Sequence, residues 1–211
     1  MFIWQSNGIN KENENMNKYI TAILLSASIV FSGASKAGLI DIIETEASST
    51  FYTYDVDNLT NGVGLTGDLH SGSYQTKWLS NFEKQASLLF NFGSAFQLNQ
   101  INIWNYGGGC CGIGRSVREL MVESSLDGVN FATIDTFILD QSANLPIPKQ
   151  AFMIDSIAQY VRFNVVSNYG SNYTGLSEVQ FGGAEIPEPS TLFLFFLGAI
   201  SLLLRARKLK R

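Results

Sequence analysis

Hydrolytic chemistry by a nucleophile needs a base placed beside it, and this chain offers one histidine, His70, for that task. It contains no Gly-x-Ser-x-Gly elbow and no His-Glu-x-x-His helix. Its 18 acidic residues are scattered, and no spacing among them selects two carboxylates facing each other across a cleft, as glycoside hydrolysis requires. The residue types therefore point away from an enzyme and toward recognition. Sugar recognition uses aromatic faces with a few polar groups on loops. Groups of that kind are His70, Tyr74, Trp104, Tyr106, Arg115, Asn168, Tyr169 and Tyr173. Trp78 and Trp104 read first as core. Trp104-Asn105-Tyr106 runs into the stretch Gly107-Gly108-Gly109-Cys110-Cys111-Gly112, which brings Tyr106 to the edge of a loop. The expected ligand-binding set is His70, Tyr106, Arg115, Asn168 and Tyr169.

Such groups need a scaffold, and the dominant period of the chain is two. Leu88, Phe90 and Phe92 alternate with Leu89 and Asn91, Ile101 and Ile103 flank Asn102, and Val161, Phe163 and Val165 flank Arg162 and Asn164. Alternation of this kind turns one face to a core and the other to water. Turn clusters separate the runs: Asn61-Gly62, Gly107-Gly108-Gly109, Asp127-Gly128 and Asn168-Tyr169-Gly170. Asp127-Gly128 between the apolar runs 120–125 and 131–138 predicts a hairpin, because both residues tolerate positive φ. Strands are expected over 39–46, 86–92, 97–106, 117–125, 131–139, 149–154, 159–167 and 175–182, with 144–148 a connecting loop. No helix of ten or more residues is expected between the two ends. The fold class is all-β, an antiparallel jelly-roll sandwich of about eight strands, flanked by an N-terminal signal helix and a C-terminal hydrophobic helix.

The two ends carry targeting chemistry. Lys18 precedes an apolar run over 19–31, interrupted by Thr21, Ser26 and Ser28, and small residues lead to Ser35-Lys36-Ala37 before Gly38. That order predicts a signal peptide over 1–37, cleaved between Ala37 and Gly38, with Met16 as the natural start. At the other end, Pro187-Glu188-Pro189 breaks the chain. An apolar run of 13 residues over 192–204 follows, then Arg205, Arg207, Lys208, Lys210 and Arg211. The run is shorter than the ~20 residues of an ordinary span, and the cationic end would stay on the cytoplasmic side. This tail resembles the PEP-CTERM sorting signal of exported bacterial proteins. The resemblance implies a short transmembrane segment over 191–204, anchorage in the membrane and processing by an exosortase-type protease. An ordinary C-terminal anchor is the alternative. The expected layout is a leader over 1–37, a β-domain over 38–183 and a sorting tail over 184–211.

Removing both ends changes the charge. The whole chain stands at −4, but residues 38–189 hold 16 Asp and Glu against 6 Lys and Arg, a net charge of −10. Such a surface repels phosphate backbones and excludes nucleic acid as a partner. Export also bears on Cys110 and Cys111, the only cysteines. In an oxidising compartment an adjacent pair forms either a strained vicinal disulfide, for which the neighbouring glycines supply backbone freedom, or a bond between chains. The vicinal bridge is the favoured reading.

Seven local blocks then appear in a telling order. They are Asn58-Leu59-Thr60-Asn61-Gly62, Thr76-Lys77-Trp78-Leu79-Ser80, Leu89-Phe90-Asn91-Phe92-Gly93, and Ile101-Asn102-Ile103-Trp104-Asn105-Tyr106. Ser124-Ser125-Leu126-Asp127-Gly128-Val129-Asn130-Phe131, Tyr160-Val161-Arg162-Phe163 and Gly175-Leu176-Ser177-Glu178-Val179-Gln180-Phe181 complete them. Together they resemble a discoidin, or coagulation-factor type C, domain of the galactose-binding-like superfamily. The resemblance implies an eight-stranded jelly roll whose rim loops bind sugars, phospholipid heads or proteins. It also implies a structural Ca²⁺ held by Asn61, Thr76 and Glu178, with Asp57 or Asn58 adding an oxygen. Asn61 stands where the family has Asp, so the site loses a negative charge. Without a metal, Asn61 would shape a turn and Glu178 would be an exposed strand residue. The functional expectation is an exported, non-catalytic surface or matrix protein that binds exopolysaccharide or another glycan. The alternative is a structural or adhesive envelope protein with no small ligand.

Overall fold

The computed structural model describes residues 38–108 and 112–186, together with residue 198. The expected signal segment with Ala37, the flanking helices, the transmembrane segment 191–204, the sorting motif Pro187-Glu188-Pro189 and the Cys110-Cys111 pair lie outside the described residues. Among the described residues no helix is long and apolar enough to cross a membrane.

Alternating burial builds the strands. Eleven are present among the described residues: β1 Gly38–Leu39, β2 Glu44–Ala47, β3 Leu65–Thr66, β4 Leu69–His70, β5 Trp78–Leu79, β6 Ser87–Asn105, β7 Val117–Ser125, β8 Ala132–Ile138, β9 Ile147–Pro148, β10 Gln150–Asn168 and β11 Gly175–Glu185. All pairings between them are antiparallel. The chain is the expected all-β sandwich, though its elements are cut differently.

The runs 86–92 and 97–106, expected as separate strands, form the single 19-residue β6, and 149–154 and 159–167 merge into the 19-residue β10. Each long strand serves both layers. The first half of β6 pairs with β2 and with residues 160–164 of β10; its second half pairs with β11 and with residues 150–158 of β10. β7 and β8 extend the first layer from β10, while β1 and β5 flank β11 in the second. The crossings sit at irregular points. Register shifts mark β10 between Met153 and Ser156 and between Ala158 and Tyr160. Gly93 in β6 has φ +79°, and a Cβ there would approach Ile43 Cδ1 to 3.0 Å, so glycine permits the bend.

Two further expectations are corrected. The segment 39–46 is not one strand but two, β1 and β2, which join different partners. Ile147 and Pro148, expected in a loop, pair with β4 and complete a small three-stranded sheet, β3-β4-β9. That sheet reaches the outer face of β6: the Trp104 indole N–H donates to the Asp68 carbonyl at 3.0 Å. Covered on both faces, residues 101–105 are all buried, Asn102 included, and the period of two disappears there. The predicted hairpin is present between β7 and β8. Asp127 accepts from the backbone of Val129 and Asn130 (2.9 and 2.8 Å), and Gly128 adopts φ +73°.

The core lies between the layers, where the aromatic side chains of the long strands meet. Phe90 and Phe163 of one layer pack edge-on to one another at 5.0 Å, and Phe90 and Phe92 reach Phe181 of the other at 5.2 and 5.1 Å. Such pairs add about 0.5–1.5 kcal/mol each beyond area burial. Phe181→Ala removes the ring they share and should cost about 3–5 kcal/mol of unfolding free energy by chemical denaturation. A loss below about 1 kcal/mol would show that the layers are held by something else.

Candidate functional site

The rim is assembled from four loop segments around one ring. β5 is short because the chain reaches it from a 3-10 turn, Tyr74–Thr76, and leaves it at Ser80. Trp78 turns into the core, with its indole N–H donating to the Ser49 carbonyl at 3.1 Å. Lys77, its neighbour, is 3% exposed. Its ammonium donates to the Gly107 carbonyl and lies 4.5 Å from the centre of the Tyr106 ring. Tyr106 follows the end of β6 and is itself buried. It fits because residue 175 is glycine: a Cβ there would lie 2.7 Å from the Trp78 carbonyl oxygen and collide with the Tyr106 ring.

Arg115 ends the 3-10 turn Ile113–Arg115 and also lies over the Tyr106 ring. It donates to the Tyr106 hydroxyl at 3.3 Å, and its guanidinium carbon lies 5.9 Å from the Tyr106 centroid and 5.3 Å from that of Tyr173. Tyr173 packs edge-on against Phe51 at 5.2 Å and Phe82 at 4.8 Å, and Tyr54 bridges Phe51 at 6.2 Å to Tyr74 at 6.3 Å. The outcome is a band of aromatic faces enclosing two cations. Burial, then the nearby Arg115 charge, pushes the Lys77 ammonium down to about 8, and burial raises the Tyr106 phenol.

The backbone at this rim is strained. Tyr52 and Phe82 hold φ of +53° and +56°, a region that bulky L residues seldom occupy. Both side chains face solvent, at 89% and 68% exposure.

Of the residues expected from sequence, Tyr106 and Arg115 do meet here, and Tyr74 and Tyr173 belong to the same band. Asn168 and Tyr169 act one step behind it. The Asn168 amide donates to the carbonyls of Ser171 and Tyr173 and to Thr174 Oγ1, and its oxygen accepts from the Gly170 and Ser171 backbone. The Tyr169 hydroxyl donates to the Leu139 carbonyl at 2.8 Å. These two shape the loop that presents Tyr173. His70 is corrected outright: it is fully buried in β4. Nδ1 accepts from Gly72 N–H at 3.0 Å, so Nε2 carries the proton toward the Val63 carbonyl at 3.2 Å. Burial lowers its pKa, which suits this neutral form. Trp104 is core.

Sequence reasoning missed Lys77, Phe51, Tyr54 and Phe82 as site residues. The aromatic run Phe51-Tyr52-Thr53-Tyr54 was a visible signal. Nothing local announced a buried lysine.

A second polar locus lies behind the rim. Glu178 is not an exposed strand residue; it is 1% exposed in β11. Its Oε1 accepts from Gly62 N–H at 3.1 Å, while Oε2 is buried with no hydrogen-bond partner among the described residues. Burial pushes this carboxyl up to about 8. Asn61 adjoins Gly62, but its amide closes the local turn, accepting from Val63 N–H at 2.8 Å and donating to Asn58 Oδ1 at 3.4 Å. Thr76 Oγ1 donates to the Ser73 carbonyl at 3.0 Å. Among the described residues no three His, Cys, Asp or Glu side chains gather into a metal cluster. The donors here are one carboxylate and neutral oxygens, a set that suits a hard, oxygen-seeking cation and no soft metal.

The family described as the F5/8 type C domain matches residues 44–179, and the PEP-CTERM protein-sorting motif matches residues 185–208. No curated protein matches the chain. Among solved structures, CBM32-3 from a family 31 glycoside hydrolase of Clostridium perfringens is 23% identical, with 70% of this chain and 91% of that one covered and a TM-score of 0.52. A putative chitobiase fragment from Bacteroides thetaiotaomicron is 16% identical, covering 75% and 99%, with a TM-score of 0.55. The family 32 CBM of C. perfringens NanJ, solved in complex with galactose, is 12% identical, covering 70% and 99%, with a TM-score of 0.53. At these identities the likeness shows the fold alone.

The raised Glu178 carboxyl has a stability consequence. Between about 4.5, the ordinary glutamate value, and about 8, the folded chain holds a proton that the unfolded chain releases. In metal-free buffer, stability should therefore fall as pH rises through that window and level off above it. Thermal melting of the wild type and Glu178→Gln isolates this contribution, since the variant lacks it. Identical pH profiles would show that Glu178 is ionised throughout.

Proposed function

This chain belongs to the F5/8 type C domain family, and on that footing we propose that it is a non-catalytic glycan-binding protein of the cell envelope. The aromatic band around Tyr106 and Arg115 is the observation that carries this reading. Sugar rings present C–H faces that pack on aromatic rings, while their hydroxyls need a few fixed polar partners. Tyr54, Tyr74 and Tyr173 supply faces and phenol hydroxyls, and Arg115, held by the buried Tyr106, supplies donors among them. A module of the same fold takes galactose, which supports the reading by analogy.

Location follows from the ends of the chain. The sorting motif marks an exported, envelope-targeted protein. In this proposal a signal peptide is removed between Ala37 and Gly38, and the tail holds the protein in the membrane until an exosortase-type protease cuts near Pro187-Glu188-Pro189. The β-domain is then released to, or attached on, the cell surface, where exopolysaccharide is the abundant glycan.

We further propose that Ca²⁺ sits at Glu178, with Asn61 and Thr76 nearby, and supplies the positive charge that the buried carboxylate lacks. Its role is structural, tying the turn at Asn61-Gly62 to β11. With one carboxylate the site binds weakly. The melting temperature should be higher in millimolar Ca²⁺ than in EDTA, and equal values would remove calcium from the account.

A glycan array probed with the purified protein tests the main reading. Retention on at least one glycan is expected. Tyr173→Ala should weaken it roughly 3- to 10-fold, the worth of one aromatic contact, without a change in melting temperature beyond a few degrees. Absence of retention on every glycan would sink the proposal and favour a purely structural envelope protein.

A further inference from the structure

The cations of the rim carry more information than the presence of a binding surface. Residues 38–189 have a net charge of −10 and only six basic side chains. Two of these are spent in ion pairs, Lys149 with Asp68 at 2.6 Å and Arg162 with Glu123 at 2.7 Å. Like Lys84 and Arg118, Lys77 and Arg115 have no such partner among the described residues, although acidic groups outnumber basic ones by more than two to one. Instead they converge on one tyrosine, at 4.5 and 5.9 Å from its centroid.

That arrangement is costly unless something completes it. Two like charges share one ring, at 4.5 and 5.9 Å from the Tyr106 centroid. The Lys77 ammonium is buried, yet of its three N–H donors one reaches a protein acceptor, the Gly107 carbonyl, among the described residues. A buried charge is ordinarily paired or fully hydrogen-bonded. The tyrosine face offsets part of the deficit and supplies neither a full counter-charge nor strong acceptors.

We propose that the rim is built for an acidic glycan, one whose sugar carries a carboxylate or a sulfate, with the anionic group directed at Arg115, the charge of buried Lys77 behind it, and the sugar ring packed on the half-buried Tyr173. This rests on the glycan-binding reading above and narrows it. A carboxylate or sulfate provides both missing elements, negative charge and several acceptor oxygens. The planar guanidinium of Arg115 takes such a group in two parallel hydrogen bonds, which a neutral hydroxyl cannot match. The remaining surface is acidic and repels a polyanion, so attachment is confined to this rim. Selectivity for a short acidic segment, rather than general adhesion to polyanions, is the consequence.

Affinity electrophoresis of the purified full chain separates the possibilities. The probes are a soluble polyglucuronate, the same polymer after reduction of its carboxyl groups to alcohols, dextran sulfate, and vesicles of anionic phospholipid. Retention on polyglucuronate should drop by about tenfold or more on carboxyl reduction, in line with a charge-assisted hydrogen bond. Arg115→Gln and Lys77→Gln should shrink that ratio, and Arg115→Lys should restore part of it; melting curves verify that each variant is folded. Retention on dextran sulfate instead of polyglucuronate keeps the acidic-glycan assignment and identifies sulfate as the group. Equal retention on the native and reduced polymers overturns the acidic preference and leaves glycan binding standing. Capture by vesicles alone, or by none of the probes together with a blank glycan array, overturns both.

Discussion

β6 and β10 pair along most of their length while each crosses from one layer to the other, so a single hydrogen-bonded ribbon holds both sheets. The aromatic contacts of the core depend on that crossing. Phe90 and Phe163 come from the halves of the ribbon in the first layer, and Phe181 meets them from β11, which pairs with the other half. The position of the rim depends on it too. β6 ends at Asn105, buried and hydrogen-bonded through its side chain to the Val117 and Asp140 carbonyls, and Tyr106 emerges directly after this anchor. A rigid sheet edge thus aims the ring around which the loops assemble.

The site behind that edge is polar where a sandwich would normally be apolar. Lys77 is buried over a tyrosine, Glu178 is buried with one oxygen unpartnered among the described residues, and both have pKa values displaced by burial toward the neutral form. Each lies in a loop or strand end, away from the packed aromatic centre. A fold optimised only for stability would replace these groups with hydrocarbon. Their retention is the physical sign that the loop end of this sandwich answers to something other than packing.

Much of the fold was legible in local pattern. Strands 117–125 and 175–182, the Asp127-Gly128 hairpin and the buried alternation of Leu88, Phe90 and Phe92 follow from side-chain period and turn chemistry, which are local properties. What was misread shares one cause. Joining 86–92 to 97–106 across Gly93, pairing Ile147 with His70, and burying Asn102 beneath the small sheet all depend on partners distant in sequence. The site divides in the same way. Tyr106 and Arg115 were recognisable as an aromatic and a cation beside a glycine-rich stretch. Asn168 and Tyr169 were recognisable as loop residues, but their hydrogen bonds face inward, and His70 reads as a ligand until its two ring nitrogens are traced to Val63 and Gly72.

By itself, then, the sequence determined the class of the molecule. Period-two patterning requires a β-sandwich, and the C-terminal end carries a protein-sorting motif. These depend on residue type and order alone. The tertiary structure alone decided which groups gather at the rim and what burial does to their charge. Lys77 sits one residue before a core tryptophan and looks like any solvated lysine along the chain. It becomes a buried cation, without a carboxylate partner among the described residues, because Gly107, Tyr106 and Arg115 arrive from other segments, and desolvation is a property of the neighbours, not of the residue.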